Sequence, residues 1–470
     1  MNDLSNYAIE DFRGGIAGQR KRGPKGSFKF AKGVDIHGED NVLSCNYKLA
    51  KDSATIVTDL VLTMIRGSDE AIYAFGNTGK IYRKPSGGAW GLAYTDTDGK
   101  ITGAAEFERS DGEGAYKKYI YWATQTKLKS IEISTAGGAW APETETFDVG
   151  NVNHYHTMRV GAGVLMICDG QNIALVDREG AFNDAALLLP SGCVAKTLLD
   201  RNDRIIIGAE DDVLDGWLFT WDRFADSWIT KTSVQAQGVN AMAYLEGGVM
   251  VQVGEDGRAK FWNFGETHPL RTIPGTGWAY PGAIGEHREM LHVGMNSGTK
   301  CGVYTLGRLD KNDPLALNLE YVPSHGKITG VEIGSIAKDG TDLYVSWKDG
   351  TSYGIDKLSS SRAVAVYESL EYDAKQPEST KLTAHIKIVS KTIPTGCSVV
   401  VKYKTNRDAD WVATKRSDNG ESMVAGEYAI IFDIEAYGEN YEVQVTLTPN
   451  GSSTPEIYSI NNYFSIQEAI

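Results

Sequence analysis

Short apolar stretches, each ended by a Gly, Asp or Asn turn, recur down the chain. Typical are Ile72-Tyr-Ala-Phe-Gly-Asn-Thr-Gly79, Tyr119-Ile-Tyr-Trp-Ala123 and Leu165-Met-Ile-Cys-Asp-Gly170, each followed by a further apolar strand. The same unit reappears from Arg204, Val249, Met290 and Leu343. The anchors are spaced by about 45 residues, the period of a β-propeller blade built of about four short strands. A lone four-stranded sheet leaves both faces wet, whereas radial stacking buries each blade on its neighbours. The pattern therefore predicts an all-β chain with an about seven-bladed β-propeller over residues 36–362. No segment sustains a helical period of apolar positions beyond about ten residues.

Beyond residue 362 the pattern changes to strict alternation, as in Leu382-Thr-Ala-His-Ile-Lys-Ile-Val389 and Tyr441-Glu-Val-Gln-Val-Thr-Leu447, with Pro- and Gly-rich loops between. Such strands read as a C-terminal β-sandwich over 363–470. Residues 1–35 fit neither pattern. From Arg13 to Lys32 seven basic residues occur with no acid, broken by five glycines and Pro24. On a chain with 47 Lys+Arg against 61 Asp+Glu, a net charge of −14, this is a marked asymmetry. It predicts an extended basic arm reaching an acidic neighbouring subunit or a phosphate backbone. The candidate assembly residues are Arg13, Arg20, Lys21, Arg22, Lys25, Phe28, Lys29 and Phe30, the two rings serving as apolar anchors between the charges.

Composition narrows the classes. The 52 glycines among 470 residues suit tight turns, and 41% hydrophobic residues suit a globular chain. No apolar window is long enough to span a membrane, and the start lacks a basic-then-apolar leader, so neither a membrane partner nor standard export is expected. The 5 cysteines are scattered without a Cys-x-x-Cys pair, which predicts buried reduced thiols.

Candidate chemistry is sparse. His154 and His156 would share a strand face, but no third metal ligand is recognisable. Asp96-Thr-Asp-Gly99 and Glu210-Asp-Asp-Val-Leu-Asp-Gly216 read as turns because neither has a full calcium loop. No nucleophile elbow or phosphate loop is present. No catalytic residue, metal or cofactor is expected, and the chain reads as a non-enzyme. Trp217, Trp221 and Trp228 cluster in one repeat. They read as sheet packing or, alternatively, as a glycan-stacking platform of a carbohydrate-binding or glycan-cleaving propeller that contacts a host receptor.

The stretch Gly26-Ser-Phe-Lys-Phe-Ala-Lys-Gly-Val-Asp-Ile-His37, followed by Asn41-Val-Leu-Ser-Cys-Asn-Tyr-Lys-Leu49, resembles the N-terminus of tailed-bacteriophage virion proteins. The plan of arm, propeller and sandwich is similar to podovirus-type tail nozzle and tail hub proteins. That resemblance implies a structural component of a phage tail, made in the host cytoplasm and located in the virion. It would form a homo-oligomeric ring with its own copies and with adaptor, portal or other tail proteins, around the channel through which DNA leaves. The acidic balance would let DNA slide past without binding.

Overall fold

In the computed structural model, described for residues 5–38, 41–148, 155–201, 204–255, 258–263, 271–274, 277–296 and 298–466, the regular elements are all β-strands. Among these residues there is no helix, and so none long and apolar enough to cross a membrane. The chain divides into two units. One comprises Ala50–Val303 and His325–Lys357; the other comprises Met1–Leu49, Tyr304–Ser324 and Leu358–Ile470.

The first unit is a β-propeller of six four-stranded blades. Each blade is an antiparallel meander, as in Val61–Arg66, Ile72–Gly76, Lys80–Lys84 and Gly91–Thr95. The next four begin with Gly103–Ser110, Met158–Gly161, Val194–Arg201 and Val239–Leu245. The sixth consists of Val331–Asp339, Asp342–Asp349 and Ser352–Arg362, completed by Tyr47–Lys51, which precedes the first blade in sequence. Asp52 and Ser53 then donate their backbone N–H groups to Ile355 O at 2.9 and 3.1 Å, and Val331–Asp339 lies against Val61–Arg66, so the ring closes.

The expected seven blades become six closed sheets. The repeat at Met290 starts on the same plan, with Ile284–His287, Met290–Met295, Gly302–Gly307 and Ala316–Tyr321, but it does not end there. Its fourth strand carries a further partner, Phe30–Lys32. The exposed edge of a last strand is a template for another strand, and the segment expected to be an arm occupies it.

Blade cores lie between neighbouring sheets. Met166, Cys168 and Ile173 of one blade meet Leu198, Ile207, Phe219 and Trp221 of the next, all essentially buried. Val61, Ile72 and Tyr82 meet Tyr344 and Ile355 where the last blade meets the first. This is the radial burial that the repeat predicts.

The second unit holds a seven-stranded sheet in the order Lys415–Arg416, Ala429–Gly438, Lys381–Ser390, Glu456–Ile466, Leu43–Cys45 and Val34–Asp35, with Ser5–Ile9 also on Glu456–Ile466. It also holds the continuous run Ala316–Tyr321, Phe30–Lys32, Ala365–Glu368, Tyr441–Thr448, Ser398–Thr405 and Val412–Ala413. Ile386, Ile388, Phe432 and Ile460 of one sheet and Val399, Val445 and Leu447 of the other are buried. A self-standing C-terminal sandwich over 363–470 is thus replaced by a unit that residues from the beginning and middle of the chain complete. Of the extended arm expected over 1–35, the described residues 5–35 instead contain short paired strands. The alternation of the C-terminal strands specifies which face is buried, but not which strand covers each edge. All five cysteines are buried and free.

Candidate binding sites

The basic segment spends much of its charge inside the chain. Lys21 Nζ donates to Asp373 Oδ2 at 2.8 Å and to Asn440 Oδ1 at 3.1 Å, and lies 3.5 Å from Glu371 Oε1. Lys29 pairs with Glu442, and Arg13 with Asp313 at 3.4 Å. The side chains of Glu371 and Glu442 are only 1% and 4% exposed, so each needs a cation to offset its lost hydration. The hydrogen bond between Lys21 and Asp373 raises the pKa of the amine and lowers that of the carboxyl. Phe28 and Phe30 are buried, and the Phe28 ring sits 5.5 Å from that of Tyr367. Tyr7 stacks on Tyr372 at 3.8 Å. Among the eight candidate arm residues, Arg20, Arg22 and Lys25 present exposed side chains, Lys25 lying 3.6 Å from Asp11. The acidic partners Asp313, Glu371, Asp373 and Glu442 carry no motif that sequence reading could have found.

A buried polar cluster sits in the same unit. His37 Nδ1 lies 3.6 Å from Glu320 Oε2, Asn46 donates to the same carboxylate, and Arg362 approaches Asp35 at 3.9 Å. Burial pulls the His37 imidazole down, but the hydrogen bond and charge of Glu320, with the charge of Asp35, outweigh it and hold its pKa above the ordinary 6.5. Burial and the Glu320 charge raise the Asp35 carboxyl.

The propeller contains a cavity of about 500 Å3 that the sequence gives no hint of. One wall is Trp278-Ala-Tyr280, leading into Ile284–His287; the rings of Trp278 and Tyr280 meet edge-on at 4.5 Å. Tyr155 completes this wall, its ring 6.0 Å from that of Tyr280 and under Lys100 at 4.8 Å. Burial, with the charge of Glu332, pushes the Tyr155 phenol up to about 12. Tyr280 donates its hydroxyl to Glu332 at 2.9 Å. A second, polar wall holds Lys196 paired with Glu210, then Gly238 and Asn240.

Gly238 has φ +55, which favours glycine. A Cβ added there would lie 2.9 Å from Glu210 Oε2, 3.2 Å from Asn240 Oδ1 and 3.5 Å from Lys196 Nζ. The missing side chain therefore leaves a notch onto which a carboxylate, an amide and an ammonium converge. Fully buried Gln252 braces both walls: its Oε1 accepts from Asn240 at 3.1 Å and from Ala279 N at 3.2 Å, and its Nε2 donates to Gly277 O at 3.1 Å. The lining residues come from five separated stretches, so only the folded ring assembles them.

The three candidate tryptophans do not form a platform. Trp221 is 1% exposed and donates to Ala225 O at 2.7 Å. Trp217 donates to Asp211 at 2.8 Å with Lys231 3.8 Å over its ring, and Trp228 packs 5.6 Å from Phe219. All three pack into or against one inter-blade core. His154 lies outside the described residues. His156 is buried, with Nδ1 2.7 Å from Thr102 Oγ1 and Nε2 3.7 Å from Asp169. Among the described residues no cluster of three or more His, Cys, Asp or Glu side chains is placed to hold a metal. Asp96 and Asp211 serve structural bonds: Asp96 accepts from Trp122 at 2.7 Å, and Asp211 from Val213 N and Asp215 N.

No protein-family model matches the chain, and no curated protein is similar to it. Solved structures similar to it include the WD40 β-propeller domain of Doa1, at 14% identity and TM-score 0.46, covering 67% of this chain and 97% of that one. Raptor from Chaetomium thermophilum is similar at 12% identity and TM-score 0.49, covering 67% of this chain and 30% of that one. The extracellular domain of a putative hybrid two-component system from B. thetaiotaomicron is similar at 15% identity and TM-score 0.46, covering 68% and 40% of the two chains.

Proposed function

We propose that the chain is a non-enzymatic structural component of a phage tail, located in the virion and assembling with its own copies and with adaptor, portal or other tail proteins. The observation that carries this reading is the fate of residues 26–49, the stretch that resembles virion proteins. They supply Ser27–Phe28, Phe30–Lys32, Val34–Asp35 and Leu43–Cys45, four strands of the unit that joins the two ends of the chain. Pairing Ser5–Ile9 with Glu456–Ile466 ties together segments far apart in sequence, which suits a part that bears load.

In this reading the repeat at Met290 acts as a seventh blade, since Ile284–His287 lies between Val239–Leu245 and Val331–Asp339. Lys21 and Lys29 hold the chain's own acids, while exposed Arg20, Arg22 and Lys25 meet an acidic neighbour. Light scattering after size exclusion at two concentrations tests it. A closed ring of several copies is expected, reduced to monomer by the combined changes Arg20→Glu, Arg22→Glu and Lys25→Glu without loss of melting temperature. Protein that stays monomeric at 51.2 kDa and fails to join purified tails contradicts it.

A further inference from the structure

We propose that the propeller cavity beside Gly238 binds a neutral, hydroxyl-rich ring, that is, one or two residues of a saccharide. Three properties of the cavity select this class. The first is the aromatic wall. Trp278, Tyr280 and Tyr155 are half-buried, so their faces are held in place yet reachable. An aromatic face carries negative potential and meets the weakly positive C–H face of a pyranose.

The second is the notch at Gly238. Lys196 donates, while Glu210 and Asn240 Oδ1 accept. Vicinal hydroxyls, each both donor and acceptor, match donors and acceptors set this close together. Gln252 fixes the two walls relative to each other, so the polar groups stand ready before a ligand arrives. The glycine matters because any side chain at 238 would fill the space that the hydroxyls need.

The third is charge. Lys196 and Glu210 neutralise each other, so a charged ligand would have to separate them, whereas a neutral polyol can bond to both. The volume of about 500 Å3 falls within the ~300–1,000 Å3 usual for small-molecule sites. The site differs from the Trp217, Trp221 and Trp228 cluster, whose rings are engaged in packing. It is independent of the assembly reading, and failure of either leaves the other standing.

Saturation-transfer difference NMR on the full chain tests the proposal. The probes are the methyl glycosides of glucose, galactose and N-acetylglucosamine, with N-acetyltryptophanamide as an aromatic comparator. Saturable transfer to at least one glycoside is expected, with binding at least tenfold weaker in both Trp278→Ala and Lys196→Met. Gly238→Val, which fills the notch, is expected to abolish it, and thermal melting checks that each variant is folded. Absence of transfer to all three glycosides overturns the proposal. So does glycoside binding unchanged in the folded variants, or binding confined to the comparator.

Discussion

The propeller and the unit built from the chain's ends are both all-β, yet they are held together differently. Five of the six blades are made of consecutive hairpins, so their pairings join residues close in sequence, such as Ile81 with Phe75, while the sixth also takes Tyr47–Lys51. The other unit pairs Ser5 with Phe464 and Lys32 with Val366, and it seats Asn46 against Glu320. Its polar groups differ too. It buries Glu371, Glu442, Glu320 and Lys381, each neutralised or hydrogen-bonded by residues distant in sequence. Local repetition makes a region robust to change elsewhere in the chain. Long-range closure makes a region depend on each contributing segment.

The largest effect follows directly. Deleting residues 1–33 removes Ser5–Ile9, Ser27–Phe28 and Phe30–Lys32 from the end-built unit. That unit is expected to lose its fold, read as rapid proteolysis within 381–466, while the blades from 61 to 245 stay protected. A free arm would leave both regions protected.

Next are single core changes. Phe28→Ala empties a fully buried site and is expected to cost about 3–5 kcal/mol, read by hydrogen exchange in Glu456–Ile466 and Ala365–Glu368. Trp122→Ala, in a blade core, should cost a similar amount but register in Tyr116–Ala123 and its neighbours. Equal loosening of all these strands by either change would erase the distinction between the regions.

A smaller effect is expected of Lys29→Met. It leaves Glu442 buried without its cation and should cost about 3 kcal/mol, as read by the urea midpoint. The double change Lys29→Met with Glu442→Leu should recover most of that loss.

The smallest is a dependence on pH. The folded pKa of His37 is raised, so its stabilisation is fully present below 6.5 and is lost as pH rises through the folded value. Asp35, also raised, acts in the same direction: ionising it in the fold opposes stability as pH rises above its ordinary 3.8. Glu320, Arg362 and Asn46 are the polar groups facing this pair. The melting temperature of the end-built unit should fall between pH 6 and pH 8.5, and fall less in His37→Gln. An equal fall in both proteins would remove His37 as the cause.

What could be read in advance follows the same division. Every anchor of the sequence repeat, from Ile72 to Leu343, falls in the second strand of its meander, because a strand-turn-strand period is a local property. The C-terminal strands were also legible, Leu382 to Val389 falling within Lys381–Ser390. The strands at 27–35 were not. They are two or three residues long and lie among glycines and lysines, and Phe30–Lys32 finds its partners 287 or more residues away. The charge run suggested a reach toward acids, and the acids proved to lie in the same chain. The cavity beside Gly238 was illegible for a similar reason, since Tyr155, Lys196, Gln252 and Trp278 belong to different repeats.

Amide hydrogen exchange at Phe28, Phe30, Ala31 and Val34 tests most directly whether the N-terminal segment is a built-in part of the fold. These amides are expected to exchange as slowly as those of Glu456–Ile466, with protection falling together when Phe28 is changed to Ala. Exchange at the rate of an unstructured peptide, with Glu456–Ile466 still protected, would mean that the segment is a free arm and would contradict the account.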